Sequence, residues 1–243
     1  MPPLKRLLLF DIDGTLIDSQ GAGLASLERG IFSAFPDRVG RQFPELDLGG
    51  ATDGSVVRFL FETFEIEDIE ENRSIFYRSY EDALVTCLAD FGRQKKGCAL
   101  PGTLSLLEEL RSHEQFCMGL LTGNTQEGAK IKLRHFGMDA YFPYGAFGCD
   151  HWERNRLGPI AIDRASQHEQ FLFSPRETLI LGDTVKDIAC ARACGAHVLA
   201  VATGTASREA LMAAEPDGLL DDFSDLSEVL EAIERVFLKR ESC

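Results

Sequence analysis

The sequence predicts an α/β fold: a Rossmann-like parallel-sheet core, interrupted after its first strand by an all-helical insertion. Three observations predict it. Leu7-Leu8-Leu9-Phe10 is an unbroken apolar run that stops at Asp11, and such a run bounded by turn residues reads as a strand buried on both faces. From residue 102 onward, short apolar runs alternate with segments of helical periodicity, which implies right-handed crossovers between parallel strands. Between residues 18 and 91 there is no strand-like alternation, only apolar residues three and four apart.

In chain order, Leu24, Leu27, Ile31, Phe32 and Phe35 give the first helix, which Pro36 closes. Residues 36–54 read as a loop, and Gly49-Gly50-Ala51-Thr52-Asp53-Gly54 is its most polar and flexible part. Helical spacing resumes through Val56, Val57, Leu60 and Phe64, and again over 69–91 with Ile75, Phe76, Tyr80, Leu84 and Leu88. Residues 92–101 read as a linker back to the core. There the pattern predicts helix 104–110, strand 116–121, helix 126–136 and a weak strand 141–147. Helix 159–171, strand 178–181 and helix 187–194, closed by Gly195, follow. The chain ends with strand 197–201, helix 207–214, strand 218–220 and helix 226–237. The division expected is a core of residues 1–17 and 95–243 with a helical cap over 18–94.

The net charge of −14 argues against nucleic acid or an anionic membrane as partner, because phosphate-backbone binding depends on Lys and Arg. An anionic small molecule would need local positive charge in its cleft. Seven cysteines without a CxxC pair speak against a thiolate metal site or a disulfide framework, and fit reduced thiols in the cytoplasm. Cys190 and Cys194, one helical turn apart, read as packing residues, and Cys243 as an exposed terminal one. Lys5 and Arg6 precede an apolar run that Asp11 and Asp13 break at once, so no signal peptide is expected. No run approaches the length of a membrane span.

The chemistry concentrates at Asp11-Ile12-Asp13-Gly14. Asp11 ends a buried strand, and in open α/β sheets ligands bind at the carboxyl ends of strands. Asp13, two residues on, would share a side with it in an extended segment. Two carboxylates this close raise each other's proton affinity unless a cation neutralises them, and Mg²⁺ suits one or two carboxylates plus a phosphate oxygen. An Asx-type turn before Gly14 is the ordinary alternative.

Phe10-Asp11-Ile12-Asp13-Gly14-Thr15-Leu16 resembles motif I of the haloacid dehalogenase-like (HAD) hydrolases, especially their phosphatases. The resemblance implies Asp11 as nucleophile and Asp13 as general acid/base. Leu120-Leu121-Thr122-Gly123-Asn124 resembles motif II, which implies that Thr122, Gly123 and Asn124 bind phosphate. Thr122 or Thr125 could equally cap the helix that follows. Gly182-Asp183-Thr184-Val185-Lys186-Asp187 resembles motif IV in its GDxxxD form. It implies Mg²⁺ on Asp11, Asp183 and the backbone carbonyl of Asp13, with Asp187 as an outer ligand, although Asp187 could serve only the helix dipole.

Motif III departs from the family pattern. Its usual Lys is missing from Asp150-His151-Trp152-Glu153-Arg154-Asn155-Arg156-Leu157-Gly158-Pro159. Spacing favours Arg154 as the replacement, then Arg156, with Lys186 third, and His151 and Trp152 read as packing residues. The expected function is an Mg²⁺-dependent phosphohydrolase acting on a small phosphate monoester through an aspartyl-phosphate, in the layout of phosphoglycolate phosphatases. Asp13 disfavours a dehalogenase, which needs no acid for halide departure. A sugar-phosphate mutase and a catalytically silent binding protein are the alternatives. The expected partner is a small phosphate ester, with no nucleic acid and no membrane, for a cytoplasmic monomer or homodimer.

Overall fold

The computed structural model describes residues 5–38 and 40–238, so Cys243 lies outside the described residues. The chain forms β1 (Arg6–Phe10), β2 (Ile17–Asp18), α1 (Ala22–Ala34), α2 (Asp53–Thr63), α3 (Glu70–Arg93) and β3 (Cys98–Ala99). It continues through α4 (Thr103–Ser112), β4 (Phe116–Leu121), α5 (Gln126–His135), β5 (Gly145–Ala146), α6 (Leu157–Glu169) and β6 (Thr178–Gly182). It ends with α7 (Val185–Cys194), β7 (His197–Val201), α8 (Arg208–Ala213), β8 (Gly218–Leu220) and α9 (Leu226–Leu238). Six strands make one parallel sheet in the order β5-β4-β1-β6-β7-β8.

Pleating splits the apolar run of β1 between two cores. Leu8 and Phe10 pack with α4, α5 and α9, while Leu7 and Leu9 pack with α6, α7 and α8. All four are fully buried, and each such side chain contributes about 1.5–3 kcal/mol. The covered sheet therefore needs an unbroken apolar strand rather than an alternating one. Helices α1, α2 and α3 bury a third core of their own, rich in rings: Phe61 and Phe76 meet edge-to-face at 6.0 Å. Among the described residues, no helix is long and apolar enough to cross a membrane.

Two local expectations need correction. The linker read over 92–101 begins inside α3 and holds β3, which pairs antiparallel with β2 through Ile17–Ala99 and Asp18–Cys98. Two-residue strands carry no periodicity, so nothing in the sequence marks this ribbon. The strand expected over 141–147 shrinks to β5, preceded by a 3₁₀ turn at Asp139–Tyr141. Pro143 lacks the N–H a longer strand would use.

The topology sets up the site. β1 lies between β4 and β6, with Phe10 level with Leu120 on one side and Leu181 on the other. Asp11, Thr122 and Asp183 thus leave the sheet on three neighbouring strands. The start of α2 is fastened above them. Thr52 caps α2 by accepting from the Ser55 N–H, and its hydroxyl donates to the Trp152 carbonyl at 2.6 Å. The Asp53 N–H donates to the Gly123 carbonyl, also at 2.6 Å. A Cβ on Gly123 would collide with the Ala51 carbonyl, so this approach requires glycine there.

Candidate active site

Asp11 is buried, with its carboxylate held from three sides. The Ile12 N–H donates to Oδ1 at 2.8 Å, Arg154 Nη2 lies 2.8 Å from Oδ2, and the Thr122 hydroxyl bonds to the same group. Burial outweighs these contacts and pushes the Asp11 carboxyl up to about 6.

Arg154 bridges two acids. Its Nη2 also donates to Asp187 Oδ1 at 2.5 Å, while Thr184 bonds to Asp187 Oδ2 through its N–H and hydroxyl. Asp187 is thus both the capping-box partner at the start of α7 and the anchor of the arginine. The Cys190 thiol donates to the Arg154 carbonyl, so α7 fixes that loop by backbone as well. Burial works against the Arg154 charge, but Asp11 and Asp187 more than offset it and hold the group protonated. Arg156 is exposed and pairs with Glu153, and Lys186 lays its stem near Gly50.

Asp183, Asp11 and Asp187 form a buried cluster whose carboxylate oxygens lie within 4.8 Å of one another. Thr15 donates to Asp183 Oδ1 at 3.0 Å. Gly14 and Gly204 press so close to this carboxylate that a side chain on either would collide with it. Burial, then Asp187 and Asp11, push Asp183 up to about 8. Three carboxylates face one guanidinium, which leaves two negative charges uncompensated when all are ionised. A hard oxygen-donor set with that deficit fits a divalent cation.

Asp13 does not join the cluster. Its half-buried carboxylate turns to α5, where Lys132 Nζ lies 2.6 Å from Oδ2 and Asn124 Nδ2 donates to the same oxygen at 2.8 Å. A metal contact from Asp13 would have to come from its backbone carbonyl. Asn124 is held from the same side. Its amide also donates to Thr122 Oγ1 and accepts from Lys132 at 2.6 Å, so both amide hydrogens are spent inside the protein. It orients Asp13, and a bond from its amide to phosphate would have to replace one of these contacts. Asp53 completes the group from the helical layer, accepting from the Thr125 N–H at 2.7 Å. Burial pushes its carboxyl up to about 6 against the pull of nearby Lys132.

Lys132 is the functional residue that sequence reasoning missed. A signal was present: Ala129, Lys132, Leu133 and Phe136 share one stripe of the helix, and a charge in an apolar stripe is buried only if paired. These groups open on one cavity of about 370 Å³ between the sheet ends and the helical layer. Gly49, Gly50, Ala51 and Asp53 of the 49–54 loop line it, as do Thr203, Gly204 and Thr205 after β7.

A parallel sheet covered on both faces, with an acidic cluster at adjoining strand ends beneath a helical layer, has its candidate site where open α/β sheets bind their ligands. The family described as haloacid dehalogenase-like hydrolase matches residues 8–201, and the chain belongs to it. It is 25% identical over 232 residues to a phosphoglycolate phosphatase of Photobacterium profundum, covering 93% of this chain and 96% of the relative. It is 27% identical to the pyrophosphatase PpaX of Anoxybacillus flavithermus, covering 94% and 98%. Among solved structures, CbbY from Rhodobacter sphaeroides in complex with phosphate superposes with a TM-score of 0.68 at 18% identity, covering 92% of this chain and 96% of that one.

Proposed function

We propose that the protein is an Mg²⁺-dependent phosphatase that cleaves a small phosphate monoester through an aspartyl-phosphate on Asp11. The observation that carries this reading is the pair of acids on one cavity: Asp11 buried against Arg154, and Asp13 held beside it by Lys132 and Asn124. Relatives named phosphoglycolate phosphatase and pyrophosphatase support phosphate as the group handled.

An oxygen of the Asp11 carboxylate attacks phosphorus, and the bond from phosphorus to the ester oxygen breaks. Asp13 gives its proton to the departing alkoxide. Water then attacks the phosphorus of the aspartyl-phosphate and passes a proton to Asp13. The bond to Asp11 breaks, releasing inorganic phosphate and restoring both acids. Asp13 suits this work because one of its oxygens is pinned by Lys132 and Asn124 while the residue still lines the cavity. Arg154, whose buried Nε has no hydrogen-bond partner among the described residues, offers donors to the phosphoryl oxygens, and Gly123 lines the same cavity. Mg²⁺ on Asp11, Asp183 and the Asp13 backbone carbonyl, backed by Asp187, would offset repulsion between the anionic nucleophile and the phosphoryl oxygens. The helical layer walls the cavity opposite the sheet ends.

The test is p-nitrophenyl phosphate with Mg²⁺. Release of nitrophenol and inorganic phosphate, stopped by EDTA, is expected, and no release with this ester or a panel of alkyl phosphates would overturn the reading. A second expected result concerns pH. Asp183 keeps its proton in the fold up to about 8 but loses it near 4 when unfolded. The folded state thus binds more protons across that window, and metal-free stability falls as pH rises through it. Mg²⁺ replaces the proton, so its stabilising effect grows over the same range. Melting curves should show a larger Mg²⁺-induced rise in Tm at pH 8 than at pH 5, and equal rises at both would count against metal at Asp183.

A further inference from the structure

We infer that the leaving group of this protein's substrate is an uncharged alcohol, neither a carboxylate, a second phosphate nor an amine. The inference rests on the phosphatase reading and concerns the part of the cavity away from the acids.

The wall given by the helical layer is formed by Leu24 and Leu27 of α1, Leu48, Val56 of α2 and Tyr80 of α3, with small residues between them. It holds no Lys, Arg or His among the described residues. The cavity as a whole is lined by two cations, Lys132 and Arg154. Both are committed. Lys132 bonds to Asp13 and Asn124 and faces Asp53, and Arg154 bonds to Asp11 and Asp187. A second anionic group on the substrate would have to share Lys132 with the acids it already serves, or lie unpaired beside Asp13 and Asp53. Burying an anion without a counter-charge costs far more than burying a hydroxyl that finds one hydrogen bond.

A cationic leaving group fares no better. Asp53, the carboxylate nearest this wall, already faces Lys132, whose charge repels a second cation, and the apolar side chains offer an ammonium no acceptor. What this wall offers is apolar surface and backbone polar groups of the 49–51 loop, which suits a neutral, partly hydroxylated alcohol. The name borne by several relatives would lead one to expect glycolate as the departing group, and the cavity argues against it in this chain.

Three esters of similar size separate the charges: 2-hydroxyethyl phosphate, phosphoglycolate and phosphoethanolamine. With Mg²⁺ at neutral pH, kcat/KM for 2-hydroxyethyl phosphate is expected to exceed each of the other two at least tenfold. Any other ranking overturns the inference, including no turnover of the three by an enzyme that cleaves p-nitrophenyl phosphate. Failure to cleave p-nitrophenyl phosphate as well would overturn the phosphatase reading and this inference with it. A designed reversal adds a second arm. Leu24 is already 41% exposed, so Leu24→Arg can place a guanidinium in the apolar wall without opening the core. It is expected to raise the ratio of phosphoglycolate to 2-hydroxyethyl phosphate turnover at least tenfold, and an unchanged ratio would overturn the argument from charge.

Discussion

Asp11→Asn is expected to lower kcat by roughly 10⁴-fold or more, the scale seen when an enzyme loses its attacking group. The change is nearly isosteric. An amide oxygen still accepts from the Ile12 N–H, and Arg154 keeps Asp187. Removing one of three clustered carboxylates relieves part of their mutual repulsion but also takes one acid from Arg154, so a melting curve of the variant accompanies its rate. What it lacks is the anionic oxygen that bonds to phosphorus. Acid-quenched parent protein with substrate should carry a phosphoryl group on residue 11 by mass spectrometry, and the variant none. An Asn variant that keeps more than about a hundredth of the parental kcat, with its fold intact, would remove Asp11 as nucleophile. Asp13→Asn tests a different step, since its carboxylate lies on the Lys132 side and outside the acidic cluster.

The order of the fold was legible where periodicity was long. The apolar run of β1 and the ring-rich helical stripes of α1–α3 each repeat over enough residues to leave one reading. The β2–β3 ribbon was not, and β5 was read only as part of a longer strand, because two residues cannot display a period. In the site, Asp11, Thr122 and Asp183 were legible because each follows directly on a buried strand, and strand order alone brings them together. The work of Asn124 and Lys132 was not, because it depends on how α5 turns its stripe toward the loop after β1. Sequence spacing gives the face of a helix but not the distant carboxylate that face will meet. Asp53 needed more still: its contact with the Thr125 N–H exists only once the helical layer is seated on the core.

Arg154→Met is expected to cost about 3–5 kcal/mol of stability, the usual penalty for taking one partner from a buried ion pair. Met fills much of the volume, so the cost is electrostatic. Asp187, fully buried, loses the donor on Oδ1, and Asp11 loses the cation at 2.8 Å. Asp11, already pushed up by burial, would hold its proton in the fold more firmly still and release it when unfolded. The loss should therefore be smallest in mild acid and grow as pH rises, and Mg²⁺ should recover part of it by supplying the missing charge. Turnover should fall by about 10²–10³-fold, the effect of losing one preorganised donor to a developing anion. Arg154→Lys separates the two roles. An ammonium restores one charge but cannot span Asp11, Asp187 and a phosphoryl oxygen with a planar fork. It should regain most of the stability and less of the activity. Denaturant melts at pH 5.5 and 8 check the first part and steady-state rates the second. A Met variant within about 1 kcal/mol of the parent at both pH values, below the scale of a broken buried pair, would mean that Arg154 does not hold this acidic cluster together.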